Sequence, residues 1–286
     1  MPRPSVWETS GASRAHPPGA ARPSRNAQAG SQVLPSISVV TPTFNQARFI
    51  EQAVDSVRDQ HYPNLEHIVY DGLSTDDTLE VLKRYGDDLV VVSEADSGQT
   101  EAINKGLRRA TGDVICWLNS DDYLLPGALQ AVGEYFAAHP EATWVTGDGV
   151  IVDVDGTPIQ RPVRTYKQVL RRFGPSAYLG LANGIVQPAT FWRRSVHDEL
   201  GYLDESLHYT MDYDWWLRLL TTGRPGKIDR PMCGFRIHDA SKSGSLYEQM
   251  LDEDYLTFRR HTSSRALSAA HKAHNALILA AYRRIK

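Results

Sequence analysis

From Ile37 the chain is built of short apolar runs, each ended by a polar loop and followed by apolar residues at helical spacing. Ile37-Ser38-Val39-Val40-Thr41-Pro42 reads as a strand stopped by proline. Phe49, Ile50, Ala53, Val54 and Val57 then recur on one face of a helix. The pattern repeats with a strand from Leu65 to Tyr70 and a helix carrying Leu79, Leu82 and Tyr85, which stops at Gly86. Leu89 to Val92 is a third strand, followed by a helix around Thr100 to Ala110, and a fourth apolar run, Asp113 to Leu118, ends in Asn119-Ser120-Asp121-Asp122. Strand alternating with helix predicts an α/β fold, a mostly parallel sheet with helices on both faces. Functional groups in such a sheet collect in the loops after the strands. Those loops are Thr41 to Asn45, Asp71 to Thr78, Glu94 to Gly98 and Asn119 to Asp122.

Beyond Asp122 the rhythm loosens. Pro126 opens a helix through Phe136, Trp144 to Thr146 and Val150 to Val154 read as two strands, and Asp155-Gly156 signals a hairpin turn. Thr210 is placed to cap a helix from Met211 to Thr222 that ends at Gly223. Met232 to Ile237 is a last strand, and Leu246 to Lys286 reads as helix. Residues 1–36 are rich in Pro, Ala, Ser, Gly and Arg without a hydrophobic period, which predicts a disordered tail. The expected divisions are therefore 1–36, 37–122, 123–245 and 246–286.

Composition changes this picture little. Lys and Arg total 31 against 34 Asp and Glu, so the overall charge does not call for nucleic acid as a partner. The two cysteines, Cys116 and Cys233, lie in apolar or strand-like runs, which predicts reduced core thiols and a cytoplasmic location. From Arg259 onward there are seven Lys and Arg and no acid, with Ala266, Leu267, Ala270, Ala273, Leu277 and Ala281 at helical spacing. Such a helix is a candidate for peripheral contact with the inner face of a membrane, although the same pattern also packs on a domain.

The candidate chemistry centres on Asp121-Asp122. Two adjacent carboxylates repel unless a cation is near, and a divalent ion carrying a diphosphate would satisfy both; a solvated turn also contains Asp-Asp often. The chain lacks the glycine-rich phosphate loop of a dinucleotide or Walker-type site, which argues against a dehydrogenase or a P-loop ATPase.

Taken together, Val39 to Asn45, Asp71 to Thr78, Asn104-Lys105-Gly106 with Ala110 to Asp113, Asn119 to Asp122, Met211 to Arg218 and Arg236-Ile237-His238 resemble the family 2 glycosyltransferases. The resemblance covers Ile37 to about Ser243 and implies the GT-A fold, a nucleotide-sugar donor, Mg²⁺ or Mn²⁺, and inversion at the sugar carbon. It makes 37–122 the nucleotide-sugar half, 123–245 the acceptor-binding and catalytic half, and 246–286 a helical extension. It places Thr41, Pro42, Thr43, Asn45, Asp71 and Asp121 at the donor and Asp122 at the metal, with His238 beside it. Arg236 and Lys242 become candidates for phosphate oxygens. Many members have an acid where this chain has Asn119, so its site carries one charge fewer.

The acceptor hydroxyl needs a general base, and the resemblance points to Asp212. In the first turn of its helix, Asp212 is favoured in the ionised form by the helix dipole. Asp214 lies roughly 200° further around, so only one of the two can face a pocket. Trp215, Trp216, Leu217 and Leu219 read as core, while Trp192 and Tyr178 are candidates for stacking on an acceptor. The function expected is transfer of a sugar to a hydroxyl of a glycan or lipid-linked acceptor, in polysaccharide, cell-wall or glycolipid biosynthesis. The alternatives are a metal-dependent sugar nucleotidyltransferase, which would need a basic glycine-rich segment near the first strand, and a non-catalytic nucleotide- or glycan-binding protein.

Overall fold

The computed structural model describes residues 33–172, 179–180, 182–239, 241 and 247–285. Most of the predicted N-terminal tail, Tyr178 and Lys242 lie outside the described residues. The first half consists of β1 (Ile37–Thr43), α1 (Ile50–Arg58), β2 (Leu65–Asp71), α2 (Thr78–Lys83), β3 (Val90–Ser93), α3 (Gln99–Arg109) and β4 (Val114–Trp117). Its strands lie in the order β3-β2-β1-β4, all parallel, with helices carrying the crossovers that parallel neighbours require. Contrary to expectation, β1 runs through Pro42 to Thr43. β4 pairs with β1 only as far as Val40 and Trp117, so Pro42 lies past that partner, where a missing N–H costs no ladder bond.

The second half adds β5 (Tyr123–Leu124), α4 (Ala128–Ala138), β6 (Trp144–Val152), α5 (Arg161–Arg172), β7 (Thr190–Arg193), α6 (Val196–Leu200), α7 (Met211–Thr222), β8 (Gly226–Arg236), α8 (Tyr247–Arg260) and α9 (Arg265–Ile285). The sheet continues as β4-β7-β6-β8-β5, with β7 antiparallel to both neighbours and β5 antiparallel to β8. The two strands expected around Trp144 and Val150 are one strand, β6, whose register against β8 shifts at Gly147 to Gly149. The expected C-terminal helix is two helices: Ser264 Oγ accepts the Leu267 N–H at 3.2 Å and starts the second.

Alternation along the strands feeds a core on each face. Val40, Ile115 and Trp117 pack with α3 and α7, while Val39, Val114 and Cys116 pack with α4 on the other side. Trp117, Trp192, Trp215 and Trp216 form a buried aromatic cluster, the Trp117 and Trp216 rings stacked at 5.6 Å. Trp192 is therefore core and not an acceptor platform: its ring is fully covered, edge-on to Trp117 at 5.5 Å. Both cysteines are buried and unbridged.

Candidate active site

A cavity of about 650 Å³ lies at the carboxyl ends of β1, β3 and β4, where the strand order reverses and open α/β sheets bind ligands. Its walls include Thr43 at the end of β1, Asp96 after β3, Asp121 and Asp122 after β4, Asp212 from α7 and His238 after β8. The Thr43 Oγ1 and Asn183 Oδ1 atoms, both in cavity-lining residues, are buried without a hydrogen-bond partner among the described residues. Unsatisfied polar atoms on a cavity wall favour a polar ligand there.

The Asp121-Asp122 turn is fixed by the short β5 strand. Pairing Tyr123 with Gly234 of β8 brings the Arg236 N–H to 2.8 Å from Asp122 Oδ1. A Cβ on Gly234 would lie 2.2 Å from Tyr123 Cζ, so only glycine admits this ring. Arg236 was expected to bind phosphate, but its guanidinium is enclosed and committed to the backbone. It donates to the Asp121 carbonyl at 2.8 Å and the Val154 carbonyl at 2.6 Å, and also to Gln52. Five donors on a rigid fork suit this bracing of irregular backbone.

The two acids differ in setting. Asp122 is 2 % exposed, and its Oδ2 lies 3.3 Å from Asn119 Nδ2. Burial, and then the neighbouring Asp121 charge, push its carboxyl well above the usual range. Asp121 is more open, and its Oδ2 lies 3.2 Å from His238 Nε2. Asn119 also accepts from Gln99 at 3.0 Å and donates to Gln187 at 3.1 Å. An amide can serve as donor and acceptor in this chain of contacts; a carboxylate there would add a third negative charge beside Asp122.

Of the other expected donor contacts, Pro42 and Thr43 reach the cavity. Thr41 is buried, its hydroxyl 2.9 Å from the Nε2 of His67, whose pKa burial lowers to about 3. Asn45, at φ +53°, accepts the Thr75 N–H at 2.8 Å and ties the loop after β1 to the loop after β2. Asp71 is 1 % exposed and holds its own loop, accepting from the Ser74 N–H at 3.1 Å and the Ser93 hydroxyl at 2.6 Å. The carboxylate that reaches the cavity here is Asp96, which sequence reasoning missed. Its Oδ1 accepts the Gly98 N–H at 2.8 Å, and its Oδ2 would lie 2.6 Å from a Cβ on Gly72.

From α7, Asp212 also lines the cavity; its Oδ1 accepts the Tyr213 N–H at 2.7 Å and its Oδ2 accepts from Asn183 at 3.0 Å. Asp214 points away, bound to Arg218 at 2.8 Å and His261 at 2.7 Å. Burial pushes its carboxyl up, but the His261 hydrogen bond and the Arg218 charge outweigh burial and hold it below the usual range. The expected Thr210 side-chain cap does not form: its hydroxyl bonds Glu253 and Thr257 of α8 instead. Glu253 takes the Tyr209 and Thr210 N–H groups at 2.8 and 2.9 Å and so fixes the entry to α7.

α8 also supplies a wall residue that sequence reasoning passed over. Asp254 lines the cavity while its Oδ2 contacts His271 at 2.5 Å and Asn275 at 3.0 Å, both on α9. The other ring nitrogen of His271 lies 3.1 Å from the Gly180 carbonyl. The acids and histidines of α8 and α9 had carried no signal, because their partners are far away in sequence.

Among the described residues, no group of three or more His, Cys, Asp or Glu side chains converges as a metal site. Asp121 and His238 offer one carboxylate and one imidazole on the cavity wall. That donor set fits Mg²⁺ or Mn²⁺ held chiefly by phosphate and water, since such ions bind through one or two protein groups plus substrate phosphates.

Comparison with known proteins agrees with this architecture. The family model described as Glycosyl transferase family 2 matches residues 38–201. A Bacillus subtilis (strain 168) protein, TuaG, named for teichuronic acid biosynthesis as a glycosyltransferase, is 37 % identical over 131 residues, spanning 44 % of this chain and 52 % of that one. S. aureus TarS 1–349, solved in complex with UDP-GlcNAc, superposes with a TM-score of 0.64 at 19 % identity, covering 86 % of this chain and 71 % of TarS 1–349. The mannosyltransferase PcManGT from Pyrobaculum calidifontis, in complex with GDP-Man and Mn²⁺, superposes with a TM-score of 0.63 at 21 % identity, covering 89 % of this chain and 76 % of that one. The strand order, the cavity at the strand ends and the match over residues 38–201 lead to one conclusion: this chain belongs to glycosyl transferase family 2 and has the GT-A fold.

Proposed function

We propose that the chain transfers a sugar from a nucleoside diphosphate sugar to a hydroxyl acceptor with inversion, Asp212 accepting the hydroxyl proton. The carrying observation is that Asp212 faces the same cavity as the Asp121-Asp122 turn, whereas Asp214, two residues on, is held by Arg218 and His261. The donor diphosphate is assigned to the Asp121 side, with Thr43 and Asp96 on the nucleotide and the acceptor between Asp212 and the α8 wall. Asp122 was the expected metal ligand; its enclosed carboxylate and the openness of Asp121 support reversing the two. Asp121 and His238 hold Mg²⁺ or Mn²⁺ here, and Asp122 supports the turn. When bound, the cation stabilises negative charge on the diphosphate leaving group. Asn183 and the Tyr213 N–H orient the Asp212 carboxylate. The named role of TuaG and the donors of TarS and PcManGT support a polysaccharide product and a UDP- or GDP-sugar donor.

The test is proton NMR of the first product formed from UDP-GlcNAc, UDP-glucose or GDP-mannose with Mn²⁺. The expected product of an α-linked donor carries a β linkage. Retention of the α configuration would contradict a single displacement assisted by Asp212, and release of pyrophosphate from a nucleoside triphosphate and a sugar phosphate would favour the nucleotidyltransferase reading.

A further inference from the structure

We infer that α5 and α9 together form a docking face whose occupant is the surface of an anionic lipid bilayer. The first observation is charge segregation. Arg161–Arg172 and Arg265–Ile285 carry nine of the chain's 31 Lys and Arg and none of its 34 Asp and Glu. The second is an uncovered apolar face. α9 turns His271 and Asn275 inward, leaving Leu267 at 49 % and Leu277 at 70 % exposure with Ala266, Ala270 and Ala273 beside them. On α5, Tyr166 and Val169 are 39 % and 43 % exposed. The third is adjacency: the Tyr166 ring stacks on His274 of α9 at 5.9 Å, and its hydroxyl bonds the same imidazole.

Cationic residues interleaved with exposed aliphatic and aromatic side chains suit a headgroup layer, where the charge meets anionic lipid and the apolar groups enter the acyl boundary. A second copy fits poorly, because it would bring together two pairs of helices that are rich in Lys and Arg and contain no Asp or Glu. Among the described residues no helix is long and apolar enough to cross a membrane, so this face lies on the bilayer. Gln160 and Val163, at the start of α5, line the cavity, so α5 belongs both to its wall and to the docked face. Presentation of a lipid-linked acceptor there rests on the proposed function; the docking does not.

The test is flotation of the full chain with vesicles of phosphatidylcholine alone and of phosphatidylcholine with phosphatidylglycerol in equal amounts. The expected result is at least about tenfold tighter binding to the anionic vesicles, lost at high salt. Two variants, Arg164→Glu/Lys167→Glu/Lys272→Glu and Leu267→Ser/Leu277→Ser, each lower that binding about tenfold while keeping the wild-type melting temperature and its shift with donor nucleotide. Equal binding to both vesicle types, or variants that bind as wild type does, would overturn the inference. So would binding of a random DNA duplex without vesicle binding, which would make the face a general polyanion site, or a solution dimer abolished by Leu277→Ser. Retained donor response in the variants keeps a failure here separate from failure of the catalytic reading.

Discussion

Asp121 and Asp122 are neighbours in sequence and opposites in setting. The enclosed Asp122 carboxyl, raised by burial and by Asp121, is easier to protonate in the folded chain than in the unfolded one. A group of that kind stabilises the fold fully below its unfolded pKa, and the contribution is lost as pH rises through the folded value. Without metal, wild type is therefore expected to lose melting temperature relative to Asp122→Asn as pH rises from about 5 to about 8. Thermal melts across that range in chelator check this; a constant gap would show that the acid is ionised throughout. The residue assignments that rested on direction around a helix were legible in the sequence, since two residues turn a helix by roughly 200° and separate Asp212 from Asp214. Those that rested on partners were not. Arg236 reads as a phosphate ligand until its carbonyl acceptors are seen, and Asn119 reads as a lost charge until Gln99 and Gln187 are seen beside it.

At the scale of elements, the strand–helix rhythm of the first half was legible because each apolar run ends in turn residues. β5 was not, because two residues carry no period, yet it joins the acid turn to β8. Gly234→Ala forces a methyl into the Tyr123 ring and is expected to cost about 1–3 kcal/mol of stability, the usual penalty of overpacking. Donor affinity should fall further than that loss explains, because the Arg236 N–H moves off Asp122. Denaturant unfolding and donor titration of the same variant separate the two effects; a stability change with unaltered donor affinity would show that β5 does not set the turn. The fusion of two expected strands into β6 has a similar origin. The glycines between Thr146 and Val150 read as a break, but in the sheet they give room for Met232 and Val186.

At the scale of the molecule, the cavity divides between a parallel β-sheet half that supplies Asp121 and a helical wall from α7 and α8 that supplies Asp212 and Asp254, with α9 packed behind α8 through His271 and Asn275. The family match ends at residue 201, before every one of those helices. The Glu253 and His271 contacts show what the C-terminal extension does: they fix the start of α7 and hold the Gly180 carbonyl. In the proposed function, metal-assisted donor binding and proton acceptance belong to different elements of the cavity wall and are separable. Calorimetric titration of UDP and GDP with Mn²⁺ into wild type, Asp121→Asn and Asp212→Asn tests that separation most directly. Asp121→Asn is expected to lose the Mn²⁺-dependent part of the affinity, about tenfold or more, while Asp212→Asn stays within about twofold of wild type. Full Mn²⁺-dependent binding in Asp121→Asn, or an equal loss in Asp212→Asn, would contradict it.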